Sequence, residues 1–332
     1  MNREILSINQ LQKKRARKKK VRIVWALVIG LVIINYTANH FFKKPQPKAQ
    51  QTEILSASQS IKESPNPAST EVPLMVSNSL KEAVENSLSG TKGTYGISIK
   101  NIKTGESYYS NEHRVYEAGS LYKLWIMATT YKQVQQGILT EDQVLSEKVA
   151  TLNRKFDIDP DLAEMSSGGI SLSVKQALTQ MITISHNYAA LLLTEKLKLS
   201  TVASFLKDNG FSESIVGTDG AAPTTTSSDI AKFLEKLYKG ELANKETTEK
   251  MLTLLKNQKL NDKLPKYLPD DTIIAHKTGE LDYFSHDAGI VYAPSGDYLI
   301  VILSESKSPP GAEDRIALLS KAVYEYFSKK NT

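Results

Sequence analysis

Ser120 and Lys123 stand three residues apart in the run Ala118-Gly119-Ser120-Leu121-Tyr122-Lys123. On a helix this spacing sets a hydroxyl and an amine on one face, within reach of each other. An amine deprived of water gives up its proton readily, and can then take one from the serine. The pair is therefore a candidate nucleophile and base. The pattern is weak by itself, because Ser89/Lys92, Ser204/Lys207 and Ser304/Lys307 repeat it. Other chemistries are poorly supplied. The 332 residues contain no cysteine, which removes thiol nucleophiles, disulfides and thiolate metal sites. Five scattered histidines show no helical His-x-x-x-His spacing, so no metal is expected. Asp157-Ile158-Asp159-Pro160-Asp161 lacks the glycine and closing glutamate of a calcium loop and reads as a surface loop. Ser285, His286 and Asp287 are adjacent on a strand and so point to alternate faces; they read as the rim of a cleft.

The elements that must position Ser120 follow from periodicity. Leu80–Leu88 reads as a helix, Tyr95–Ile102 alternates as a strand, and Glu106–Ser110 is its partner across a turn at Lys103-Thr104-Gly105. From Leu121 to about Leu260 the spacing is helical. Strands return at Thr272–Thr278, Asp287–Tyr292 and Tyr298–Ser304, and a helix over Arg315–Phe327 closes the chain. Strands divided by a helical block predict an α+β fold. One antiparallel sheet is flanked by terminal helices, with an inserted all-helical lobe at about 121–270. The seam between sheet and lobe is the natural cleft.

Residues 1–50 hold twelve of the 42 basic residues and one of the 36 acidic ones, so the net charge of +6 belongs to that segment and the remainder is mildly acidic. No nucleic-acid partner is expected of such a body. Residues 1–22 read as a basic cytoplasmic segment. Residues 23–42, without a charge, are long enough to cross a bilayer core of about 30 Å. The basic flank predicts a single-pass anchor in the cell membrane, N-terminus inside and the body extracytoplasmic. A cleaved signal peptide is the competing reading, because the densest apolar stretch, 23–34, is only twelve residues. Residues 43–75 carry five of the twelve prolines and read as a flexible linker. Residues 76–332 form the folded domain, expected to act as a monomer without a cofactor.

Only one set of patterns runs in the order Ser-x-x-Lys, Ser-x-Asn, Lys-Thr-Gly with each in a suitable element. Ser120 opens a helix, Ser185-His186-Asn187 joins two helices, and Lys277-Thr278-Gly279 ends an apolar strand. The alternatives Ser7, Ser64 and Lys103-Thr104-Gly105 lack that context. With Met181–Ala190 and Thr224-Thr225-Thr226, these residues make the body resemble the superfamily of class A β-lactamases and penicillin-binding proteins.

The resemblance implies that Ser120 attacks a β-lactam or D-Ala-D-Ala carbonyl to give an acyl-enzyme. Lys123 is then the base, or the group that keeps the base poised. Ser185 would pass a proton to the departing nitrogen, and Asn187 would meet the substrate side chain. Lys277 and Thr278 would hold the substrate carboxylate, Gly279 would let substrate lie along the strand, and the N–H groups of Ser120 and Glu280 would form the oxyanion hole. One departure stands out. The Glu-x-x-Leu-Asn segment that serves deacylation in active class A enzymes is missing between Asn187 and Thr224, where the acids are Glu195, Asp208, Glu213 and Asp219. Acylation is expected to be intact and deacylation slow. Three outcomes follow from that: a β-lactamase, a D-Ala-D-Ala carboxypeptidase acting on peptidoglycan, or a weak binding module. His186, in place of the commoner aspartate, is expected to be a structural donor, the competing reading being a pH dependence at about pH 6–7.

Overall fold

The structure is a computed structural model that describes residues 79–161, 163–217 and 221–329. The basic segment, the anchor and the linker expected of residues 1–75 lie outside the described residues. Among the described residues no helix is long and apolar enough to cross a membrane.

The chain enters through α1 (Leu80–Leu88), capped by Ser79 Oγ accepting from Glu82 N at 3.1 Å. Strands β1 (Thr94–Asn101) and β2 (Ser107–Ser110) follow as an antiparallel pair. A two-residue strand β3 (Tyr116–Glu117) leads into a 3₁₀ turn at Gly119–Tyr122, which runs directly into α2 (Lys123–Gln135). Next come β4 (Val144–Lys148), α3 (Val149–Lys155), β5 (Gly169–Ser173), α4 (Val174–Thr183), α5 (Asn187–Leu197) and α6 (Leu199–Asp208). They are followed by β6 (Thr224–Thr225), α7 (Ser227–Tyr238) and α8 (Lys245–Lys256). The chain closes with β7 (Ile273–Leu281), β8 (Phe284–Tyr292), β9 (Tyr298–Glu305) and α9 (Pro309–Lys329).

The main sheet has the order β2-β1-β9-β8-β7, antiparallel throughout. β9 explains the two-layered core. Its residues Tyr298–Leu303 are apolar without a break, as expected of a strand buried on both faces. Tyr298, Ile300 and Ile302 meet Ile97, Ile99 and the terminal helices through Leu80, Val84, Ile316 and Val323. Leu299, Val301 and Leu303 point the other way, into the cluster shared with α7 and the lobe. At the lobe's centre lies α2, where every residue from Lys123 to Tyr131 is buried, the mark of a helix surrounded on all sides.

The α+β architecture with an inserted lobe is therefore present, with three corrections. The lobe is not all-helical: β4 and β5 form an antiparallel ribbon, and β3 pairs with β6. Short strands of this kind give too few alternations to register as a period. Helix α7 lies within the predicted lobe but packs on β9 and β1. Lys277-Thr278-Gly279 does not end its strand either. β7 continues to Leu281, because a two-residue turn at Asp282-Tyr283 pairs Leu281 directly with Phe284.

Replacing Ile302, fully buried on the central strand, by alanine is expected to lower the unfolding free energy by about 2–5 kcal/mol. Urea denaturation of the purified domain measures it.

Candidate active site

Gly119 has φ +49°, and a Cβ built there would lie 2.7 Å from Glu280 N. A Cβ on Gly279 would meet Ala118 O at 2.9 Å and Leu121 Cγ at 3.0 Å. Only two glycines allow the 3₁₀ turn and β7 to touch backbone to backbone. The contact sets Ser120, half-buried at the turn, beside Lys277–Glu280.

Lys123 follows one turn later and is completely buried. Its Nζ donates to Ser185 O at 2.5 Å, Asn187 Oδ1 at 2.6 Å and Ser185 Oγ at 3.1 Å. Burial pulls this amine down to about 7, against the Glu164 carboxylate, which favours its charged form. From the opposite wall Lys277 Nζ donates to the same Ser185 Oγ at 3.0 Å and to Thr278 O at 2.8 Å. Lys277 is also wholly buried, and desolvation first, then the charge of Lys123, lower it well below an ordinary lysine. One hydroxyl thus joins two amines.

The backbone puts that hydroxyl there. Ile184 N and His186 N both return to Gln180 O, at 3.3 and 3.1 Å, and close the end of α4. The chain passes through Ser185 at φ +57°, a left-handed conformation that costs a non-glycine residue on the order of 1 kcal/mol or more. His186 is structural, in a role opposite to that of a donor. Its Nδ1 accepts from Ala189 N at 3.2 Å and caps α5. Burial lowers its pKa, which favours the neutral form that the cap requires.

Ser120, Lys123, Ser185, Asn187, Lys277, Thr278, Gly279 and the Glu280 backbone, all singled out by sequence, therefore border one seam between β7 and the lobe. Ser285, His286 and Asp287 do not form its rim. All three are buried at the middle of the sheet, because β8 is covered on both faces. His286 Nε2–H donates to Glu117 O at 2.8 Å while Nδ1 accepts from Ser304 N at 3.0 Å, so a neutral ring ties the strand before Ser120 to the sheet. Asp287 holds His276 Nδ1 at 2.9 Å and accepts from Leu264 N at 3.1 Å. Nearby, the buried Lys263 donates to Glu280 at 2.6 Å. Sequence reading also missed Glu164, whose Oε1 accepts from Asn187 Nδ2 at 2.6 Å. It lies before the second motif in a loop without periodicity, and no signal in the sequence marks it. Among the described residues no cluster of three His, Asp or Glu side chains could hold a metal ion.

The comparisons with known proteins agree with this geometry. A family model described as the beta-lactamase enzyme family matches residues 79–327. The extended-spectrum beta-lactamase PER-1 of Pseudomonas aeruginosa is 24% identical over 273 residues, covering 76% of this chain and 88% of that protein. A beta-lactamase of Bacteroides uniformis is 25% identical over 275 residues, covering 74% and 90%. Among solved structures, a beta-lactamase from Sphaerobacter thermophilus superposes with a TM-score of 0.66 at 22% identity, over 75% of this chain and 97% of that one. PBP-A gives 0.66 at 23%, over 75% and 96%. These likenesses show a common fold.

Burial holds His286 down to about 4. A neutral ring that is bonded only when folded contributes stability that is complete above 6.5 and is lost as pH falls toward 4. His286→Phe is expected to remove that pH dependence and to cost about 2–4 kcal/mol at neutral pH, since a buried carbonyl and N–H lose their partners. Urea unfolding at pH 4.5 and 7.5 measures both.

Proposed function

The chain belongs to the beta-lactamase enzyme family and is a serine hydrolase of the β-lactamase type, and from that premise we propose that it opens β-lactam amides through a Ser120 acyl-enzyme, outside the cytoplasm and tethered to the membrane. The observation that carries the mechanism is the pair of buried amines sharing Ser185 Oγ. Lys123, neutral once burial has removed its proton, takes the Ser120 proton as Oγ bonds to the carbonyl carbon. The N–H groups of Ser120 and Glu280, adjacent through the Gly119 contact, receive the oxyanion. Ser185 accepts from an amine and donates onward, so it hands the proton to the departing nitrogen. Lys277 and Thr278 draw the substrate carboxylate to β7, and Asn187 orients the acyl side chain.

Deacylation is slow in this reading. Glu195 is paired with Lys155, Asp208 lies 4.0 Å from Lys132, and Glu213 is held by His113 and Thr226. These three acids of the interval are engaged away from Ser120. That observation favours the second reading, a D-alanyl carboxypeptidase or penicillin-binding protein using the same residues on peptidoglycan. The tether rests on the basic residues 1–22 and the uncharged residues 23–42.

Ser120→Ala is expected to abolish covalent penicillin labelling, and Ser89→Ala and Ser204→Ala to leave it intact. Intact-protein mass after penicillin exposure reads both outcomes. With a chromogenic cephalosporin, the enzyme should show a burst of one product per site and a slower steady state; multiple turnover without a burst or an adduct would contradict slow deacylation.

The acylation rate should rise about tenfold per pH unit up to about 7 and level off above, because only neutral Lys123 accepts a proton. Stopped-flow burst rates between pH 5.5 and 8.5 test that profile. A flat profile would remove Lys123 as the base.

A further inference from the structure

A Ser120 ester leaves the enzyme only when water attacks it, and that water must lose a proton in a site whose amines are already engaged. Ester hydrolysis at neutral pH is slow unless a positioned base takes that proton. Of the acids in the expected stretch of chain, Glu195, Asp208 and Glu213 are engaged elsewhere, and Asp219 lies outside the described residues. Glu164 is placed differently. Its Oε1 accepts from Asn187 Nδ2 at 2.6 Å, and the other end of that same amide, Oδ1, accepts from Lys123 Nζ at 2.6 Å. One planar group thus separates the carboxylate from the amine that follows Ser120 by one turn. Glu164 is also the carboxylate whose charge bears on Lys123, Tyr122 and His186 together.

The loop that carries Glu164 is fastened from two sides. Tyr188, the residue after Asn187 on α5, donates its hydroxyl to Met165 O at 2.7 Å and accepts from Met165 N at 3.2 Å. Asn153 on α3 donates to Met165 O at 2.9 Å, and its Oδ1 lies 2.8 Å from the same tyrosine hydroxyl as a second acceptor for that hydroxyl's one proton. Two helices therefore fix the backbone beside Glu164 and hold its carboxylate over Asn187. The outer side of Glu164 is exposed, so water reaches it freely.

We propose that Glu164, delivered from the loop before the second motif, is the general base that activates water for release of the acyl group. Water gives one proton to the Glu164 carboxylate as its oxygen bonds to the ester carbonyl carbon. When the tetrahedral intermediate collapses, the C–Oγ bond breaks and the same proton returns to Ser120 Oγ. The products are the free acid and the resting serine, with Glu164 again a carboxylate. The inference rests on the acyl-enzyme reading of Ser120. It would allow turnover without the missing Glu-x-x-Leu-Asn segment, and slow turnover, since an exposed carboxylate binds its water less rigidly than an enclosed one.

The test uses the full chain and benzylpenicillin. Acylation is followed by stopped-flow and decay of the acyl-enzyme by intact mass. Glu164→Gln, which keeps an oxygen for Asn187 Nδ2, should lengthen the adduct lifetime at least tenfold more than it slows acylation. Glu195→Gln, on the lobe surface, should change neither rate. In Glu164→Ala, added formate should shorten the adduct lifetime, a rescue that a purely structural role would not show. Equal adduct lifetimes in Glu164→Gln and the parent overturn the proposal. So does a loss of acylation that matches the loss of deacylation, with no formate rescue. If no variant, the parent included, ever forms an adduct at Ser120, the acyl-enzyme reading itself has failed and this inference falls with it.

Discussion

Two lysine amines buried against a single serine oxygen set the terms for everything around them. Neither Lys123 nor Lys277 has bulk water to stabilise a charge, and the charge of Lys123 raises the cost of charging Lys277. Lys123 answers with three acceptors, two from Ser185 and one from Asn187. Three acceptors suit an ammonium, while burial suits an amine. Burial, opposed by the Glu164 carboxylate, brings the amine to about 7, so the proton is held loosely enough to be exchanged. An exposed lysine at the same place in sequence would simply be a cation.

That balance requires the amines to be held in register, and the surrounding structure is built to resist drift. The 3₁₀ turn touches β7 with no side chain between them at Gly119 and Gly279. His286 secures the strand leading into the turn from behind. The His276–Asp287 pair and the Lys263–Glu280 bond brace β7 and the segment before it. On the far wall the strained Ser185 backbone is held by two bonds to Gln180 O and by the cap that His186 provides to α5. Strain of about 1 kcal/mol persists there because both neighbouring helices determine the connection. His276, His286 and Asp287 are buried in the sheet with their polar atoms bonded, the usual condition for a buried polar network to rigidify a fold.

The lobe contributes differently from the sheet. The sheet supplies a rigid edge at β7, and the lobe supplies the groups that face it. Because α2 is enclosed on every side, the start of that helix cannot shift without moving the whole lobe core. Glu164 comes from a loop, and its position depends on hydrogen bonds from Tyr188 and Asn153 to the adjacent Met165.

The sequence by itself determined the class of fold, the approximate bounds of the helices and strands, and which of several repeated patterns to weigh together. Those features are local: Tyr298–Ser304 announces a strand, and the Ser120 pattern is distinguished by the helix that continues it. Even there, β4 and β5 were too short to register, and the end of β7 was misplaced because a two-residue hairpin extends pairing beyond the apolar run. What the sequence could not determine is proximity and solvation. Lys123 and Lys277 are separated by a lobe's length of chain, and nothing in their neighbours states that both would be dry and share one oxygen. His286 read as exposed because alternation on a strand distinguishes two faces and does not reveal that both are covered. Glu164 was invisible because its place at Asn187 is fixed by hydrogen bonds from distant helices, and the pKa of Lys123 by burial; both arise only when the chain has closed around them.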